Sequence, residues 1–91
     1  LARLQGEVAR MEGEGAVTAT FADQLRRLLD DAATAGDAGD PDGACKALDQ
    51  LDELAEDNRG GAITNAAAQA LRRQSQALQR DLGCPRWRAW F

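Results

Sequence analysis

Few side chains in this sequence are of the types that carry catalysis. The chain of 91 residues contains no histidine and no tyrosine, and no base is placed to activate its one serine, Ser75. Adjacent carboxylates occur at Asp30 with Asp31 and at Asp52 with Glu53. A helix separates adjacent side chains around its surface, so these pairs predict solvated faces and not an acid–base pair. We therefore expect no catalytic residues and no enzyme activity.

The two cysteines, Cys45 and Cys84, are the other reactive groups. Without a histidine to complete the ligand set, two thiolates are too few for a structural zinc site. No cofactor is therefore predicted. The alternatives that remain are two free thiols or one disulfide.

The segment 37–43 combines glycines with Asp37, Asp40 and Asp42, whose carboxylates are the hard oxygen ligands that calcium takes. The spacing does not follow an EF-hand loop, and no glutamate stands at the final ligand position. We favour a structural interpretation, in which Asp40 caps a helix and the other two carboxylates support the turn and the helix dipole. No metal site is predicted.

The C-terminal tail, residues 85–91, has an unusual composition. Its last five positions hold three of the four aromatic residues of the chain, interleaved with arginine. Tryptophan and arginine are enriched at the energetic centres of protein interfaces. The candidate partner-binding residues are Arg86, Trp87, Arg88, Trp90 and Phe91. Folding back onto the domain, insertion into a neighbouring chain, adsorption to an anionic membrane and stacking on a glycan remain open.

An internal repeat indicates how these residues are positioned. The phrase Gly15–Arg27 returns 46 residues later as Gly61–Arg73, with seven positions identical and Val17 replaced by Ile63. Each copy has a loop glycine, an apolar entry residue, a threonine suited to capping, and then a helix. The repeat predicts two similar helical hairpins packed on each other.

Apolar spacing places the helices near 1–12, 18–35, 41–57 and 64–82, and no segment alternates with a period of two. Short connections favour antiparallel neighbours, so the predicted fold is an all-α, antiparallel four-helix bundle. The predicted domain covers 1–84. The predicted core consists of Leu4, Val8, Phe21, Leu25, Leu28, Leu48, Leu51, Leu71 and Leu78.

The predicted bundle topology favours one of the two alternatives for the cysteines. Cys45 lies near the start of the third helix and Cys84 just past the end of the fourth, so an antiparallel hairpin brings both to one end of the bundle. Cys84 overshoots the third helix, but a turn at Gly83 could return it. We therefore favour a disulfide, which predicts an oxidising compartment.

Several of these features together resemble the small all-helical FIMAH domain. They are the two Gly-apolar-Thr entries, the Gly/Asp loop, Ala44-Cys45 followed by Leu48 and Leu51, and the closing Leu82-Gly83-Cys84. The resemblance covers residues 1–84 and implies a non-catalytic accessory module of a secreted bacterial protein. It carries over no binding residues. Family members typically have a larger apolar residue at the position of Leu54.

The net charge of −4 and a pI near 4.7 argue against a nucleic-acid partner. Acids dominate 30–57 and arginines dominate from Arg72 onward, which predicts attraction between helices of the bundle or a basic docking face. The chain starts within a predicted helix and not at a methionine, so we expect a piece of a longer protein.

The sequence thus favours a secreted, disulfide-linked accessory or interaction module, which contacts an adjacent domain or protein through its tail, and self-association through the tail is an open alternative. The alternative is a small self-contained effector whose tail binds a protein or an anionic membrane surface.

Overall fold

The computed structural model of the chain describes residues 2–84. These form helices α1 (Ala2–Gly13), α2 (Ala19–Asp37), α3 (Pro41–Asp57) and α4 (Asn65–Leu82). Each predicted boundary lies within two residues of the observed one, and no β-strand occurs in the described range. The predicted all-α bundle is confirmed. α2 packs most extensively against α3, α3 packs against α4, and α1 closes the arrangement by contacting both α2 and α4.

Side-chain caps set the start of three helices. The hydroxyl of Thr18 accepts a hydrogen bond from the N–H of Phe21 at 3.2 Å, and Thr64 accepts one from Ala67 at the same distance. The carboxylate of Asp40 accepts from the N–H of Gly43 at 3.0 Å. Each bond satisfies a backbone donor that the first turn of a helix leaves without an intrahelical partner.

Left-handed glycines end α1, α2 and α4. Gly15, Gly39 and Gly83 have φ values of 76°, 74° and 73°, a region that residues with a Cβ rarely adopt. Each is followed by a residue whose N–H reaches back to the last turn, as in the 2.8 Å bond from Cys84 to the carbonyl of Gln79. This is the Schellman motif, which turns the chain sharply away from the helix axis.

The repeated segments pair with each other. Val17 and Ile63 form an isolated antiparallel bridge. The N–H of Thr18 donates to the carbonyl of Ala62, and the N–H of Thr64 donates to the carbonyl of Ala16, both at 2.9 Å. The two hairpins therefore meet through equivalent atoms around the buried Val17 and Ile63. The symmetry is local, because the left-handed glycine of the second copy is Gly60, with φ 83°, and not Gly61.

One continuous core joins the helices and both entry segments. It contains seven of the predicted residues, namely Leu4, Val8, Phe21, Leu25, Leu48, Leu51 and Leu71. The prediction was wrong for Leu28 and Leu78, which are only partly buried. Leu25, Leu29 and Ala32 take the centre of the α2 stripe and leave Leu28 at its flank. Leu82, the last residue of α4, is 39% exposed.

Truncation of Leu71 to alanine is expected to lower the free energy of unfolding by about 2–5 kcal/mol, because the side chain is fully buried and its removal leaves a cavity. Leu82→Ala is the matched control on the same helix, and we expect a loss below about 1 kcal/mol because Leu82 keeps much of its solvent contact. Urea unfolding followed by circular dichroism measures both. Equal losses would contradict the described core.

Gly43 is expected to resist replacement although it lies within a helix. A Cβ there would lie 2.5 Å from Oδ2 of Asp40 and 3.1 Å from the Cβ of Ala35. Gly43→Ala must displace the cap of α3, at a cost of about 1–2 kcal/mol. This cost exceeds the gain of about 1 kcal/mol in helix propensity, so the domain is destabilised by up to about 1 kcal/mol. Gly36→Ala in α2 is the control, since no atom lies within 4 Å of its added Cβ. Gly36→Ala should raise the melting temperature and Gly43→Ala should lower it; a rise for both would show that the cap is dispensable.

Candidate functional site

A disulfide joins Cys45 to Cys84 with a Cα–Cα distance of 5.6 Å, which is the pairing that the sequence favours. Cys45 is buried in the second turn of α3, beyond the Asp40 cap. Cys84 reaches it because the left-handed Gly83 turns the chain back at the end of α4. The bond therefore closes the end of the α3/α4 hairpin opposite to the paired entry segments.

Reduction of this disulfide is expected to destabilise the domain by about 3–4 kcal/mol, because a bond that spans 39 residues restricts the unfolded chain. Thermal unfolding with and without reductant measures the effect, and a Cys45→Ser, Cys84→Ser variant is the control that reductant should leave unchanged. Intact mass under non-reducing conditions should be two hydrogens below that of the dithiol. Two alkylatable thiols in the native domain would contradict the described pairing.

Polar side chains link α3 to α4 in the interior. Nε2 of Gln79 donates to Oδ2 of Asp52 at 2.9 Å and to Oγ of Ser75 at 3.1 Å. The hydroxyl of Ser75 donates to the carbonyl of Leu48 at 3.4 Å. Ser75 is fully buried and its described partners are an amide and a carbonyl, so nothing in this arrangement activates it as a nucleophile.

The expectation that Asp52 lies on a solvated face is wrong, since Asp52 is only 3% exposed. Position 52 follows Leu48 by one helical turn and precedes Ala55 by another, so it belongs to the stripe that α3 turns towards α4. Glu53, the next residue, is exposed, as are Asp30 and Asp31. The adjacent pairs are thus separated around the helix surface, as expected.

The arginines of the repeat close the two hairpins. Arg72 in α4 donates to Oε2 of Glu56 in α3 at 2.7 Å. Arg26, the equivalent residue in α2, bonds Glu12 in α1, and this hydrogen bond raises the pKa of the Arg26 guanidinium. Glu12 and Glu56 are each the penultimate residue of their helix. The recurring arginine therefore joins the second helix of each hairpin to the end of the first. The Arg72–Glu56 pair is an instance of the predicted attraction between the acidic and the arginine-rich segments, whereas the Arg26–Glu12 pair lies outside both segments.

The acidic segment 37–43 has a structural role at the junction of α2 and α3. Asp40 is the cap of α3, Asp42 lies in the first turn of that helix, and Asp37 is the last residue of α2. Within residues 2–84, no group of three or more histidine, cysteine or acidic side chains is placed to hold a metal ion. No helix among the same residues is long and apolar enough to cross a membrane. The predicted partner-binding residues of the tail, Arg86 to Phe91, lie outside the described residues.

The fold and these contacts are those of a small all-α domain, in which buried polar groups join the helices and a disulfide closes one end. The FIMAH domain family model matches residues 1–80, and the chain belongs to this family of non-enzymatic accessory domains. No curated protein and no solved structure shows significant similarity to the chain.

Proposed function

We propose that this domain is a non-catalytic accessory module of a secreted bacterial protein, and that it contacts an adjacent domain or a protein partner through its C-terminal tail. Membership of the FIMAH family is the observation that carries the proposal. A family of accessory domains supplies stability, spacing or binding to the protein that contains it, and not the reaction centre.

The disulfide supports the secreted setting. Cys45 and Cys84 form a bond that closes a long loop in a small domain, and such bonds persist in oxidising compartments. The core is rich in alanine, and each alanine contributes little buried area. A domain of this composition gains a large part of its stability from the cross-link, so it is most stable in the oxidising environment that secreted proteins meet.

The described polar contacts support a non-catalytic role. Gln79 holds Asp52 and Ser75 together between helices, and Glu56 is held by Arg72. These groups are committed to interhelical contacts, which leaves the surface and the tail as the parts that face other molecules. Trp87, flanked by two arginines, has the composition of an interface anchor.

Site-specific photocrosslinking tests this proposal. A benzoylphenylalanine at position 87 of the full-length secreted protein is expected to crosslink to an adjacent domain or a separate protein. The same group at Gln76, an exposed position of α4, is the matched control and should give no such product. Crosslinks from position 87 that match those from position 76, or recovery of the protein in the cytoplasm with both cysteines reduced, would contradict the proposal.

A further inference from the structure

The two cysteines of the disulfide differ in how open they are to solvent. Cys45 is 2% exposed and lies inside the second turn of α3, next to the buried Ala44. Cys84 follows the left-handed Gly83 at the end of α4 and is only partly buried. Thiol–disulfide exchange depends on which sulfur an attacking thiolate can reach, so the two sides of this bond are not equivalent.

The disulfide fixes the end of α4 on α3. The four residues between Gln79 and Cys84 are all exposed. Among residues 2–84, the last hydrogen bond from α4 to α3 before the disulfide is the one that Gln79 donates to Asp52. Within the described part of the chain, the position of Cys84 on α3 therefore depends on the bond to Cys45.

The disulfide is also separate from the main core. The continuous core contains neither Ala44 nor Cys45. The paired entry segments around Val17 and Ile63 lie at the opposite end of the α3/α4 hairpin. Opening of the bond therefore affects one end of this hairpin and leaves the contacts of the core in place. A local opening of this kind requires less free energy than global unfolding.

We propose that Cys84 is a site of thiol exchange in the folded domain, where it forms a mixed disulfide with a small thiol. The attacking thiolate bonds to Sγ of Cys84, the bond to Sγ of Cys45 breaks, and Cys45 leaves as a thiolate that takes a proton from water. The number of disulfides is unchanged, so the step consumes no further oxidant or reductant. The partial burial of Cys84 favours a small thiol over one presented by a folded protein.

This exchange is a redox-sensitive device at the end of the domain. In the intact disulfide, Cys84 holds on α3 the point from which the chain continues to residue 85. In the mixed disulfide that attachment is lost, while the core and the paired entry segments keep their contacts. The inference concerns the disulfide alone and does not depend on what the tail contacts.

Reaction of the native domain with reduced glutathione tests the site. Samples are quenched with N-ethylmaleimide at early times, and the modified peptides are identified by mass spectrometry without reduction. We expect glutathione on Cys84 and maleimide on Cys45, in at least about ten-fold excess over the reverse arrangement, because Cys45 is shielded. The urea-unfolded chain is the matched control, in which both sulfurs are open and the ratio should fall to about one.

A destabilised variant distinguishes exchange in the folded domain from exchange after global unfolding. The loss of stability expected for Leu71→Ala increases the unfolded fraction by at least about 30-fold, and exchange that requires unfolding accelerates by the same factor. We expect the exchange rate of Leu71→Ala to stay within about two-fold of that of the unsubstituted chain. If this variant does not fold, urea below the unfolding transition replaces it, since urea also raises the unfolded fraction.

Three results would overturn the proposal. One is glutathione on Cys45, or equally on both cysteines, in the native domain. Another is an exchange rate that follows the unfolded fraction in Leu71→Ala or in low urea. The third is the absence of any mixed disulfide under native conditions.

Discussion

The hydrogen bonds between the two entry segments are the contact on which the arrangement of the bundle depends. Thr18 and Thr64 each donate a backbone N–H to the opposite segment and each cap a long helix with the hydroxyl. The threonine at the equivalent position of each repeat thus fixes both the register between the hairpins and the starting points of α2 and α4. Because the caps and the pairing share these residues, the same contacts fix the direction of each helix and the position at which it starts.

A small, alanine-rich core explains why such end contacts matter. Alanine at positions 22, 32, 55 and 68 is fully buried, which allows close approach of the helix backbones but removes little apolar area per residue from water. The domain compensates at both ends. The paired entry segments fix one end, and the disulfide with the left-handed Gly83 fixes the other. Between the two ends, the hydrogen bonds of Gln79 with Asp52 and Ser75 fix the register of α3 against α4. Apolar contacts alone would allow the two helices to slide along each other.

The sequence predicts the local features of the fold and misses contacts between segments that lie far apart in the chain. Helix boundaries followed from threonine and aspartate caps, from Gly83 and from apolar spacing, because these signals act within one turn of the chain. The repeat predicted that the two hairpins pack on each other, but the backbone pairing of their entry segments could not be read from either copy, since it joins residues 46 positions apart. The burial of Asp52 could have been predicted from the sequence. Asp52, Ser75 and Gln79 all occupy core-stripe positions on neighbouring helices, and buried polar side chains at such positions form hydrogen bonds with one another.

The same distribution of contacts makes α1 the helix that packs least extensively on the rest of the described bundle. α3 and α4 share a covalent bond, an ion pair and a buried polar network, whereas α1 meets α4 through side-chain packing that ends in a groove lined by Leu4, Leu78 and Asp81 among others. The ion pair of Arg26 ties α1 to α2 at the opposite end from that groove, and near the groove the first turn of α1 is held by the burial of Leu4 and by a 3.1 Å hydrogen bond from Gln5 to Asp30 of α2. The contact between α1 and α4 is thus the smallest between helices of the described bundle. The bonds between helices are concentrated instead in the α3/α4 half, where the disulfide, the Arg72–Glu56 pair and the hydrogen bonds of Gln79 act together.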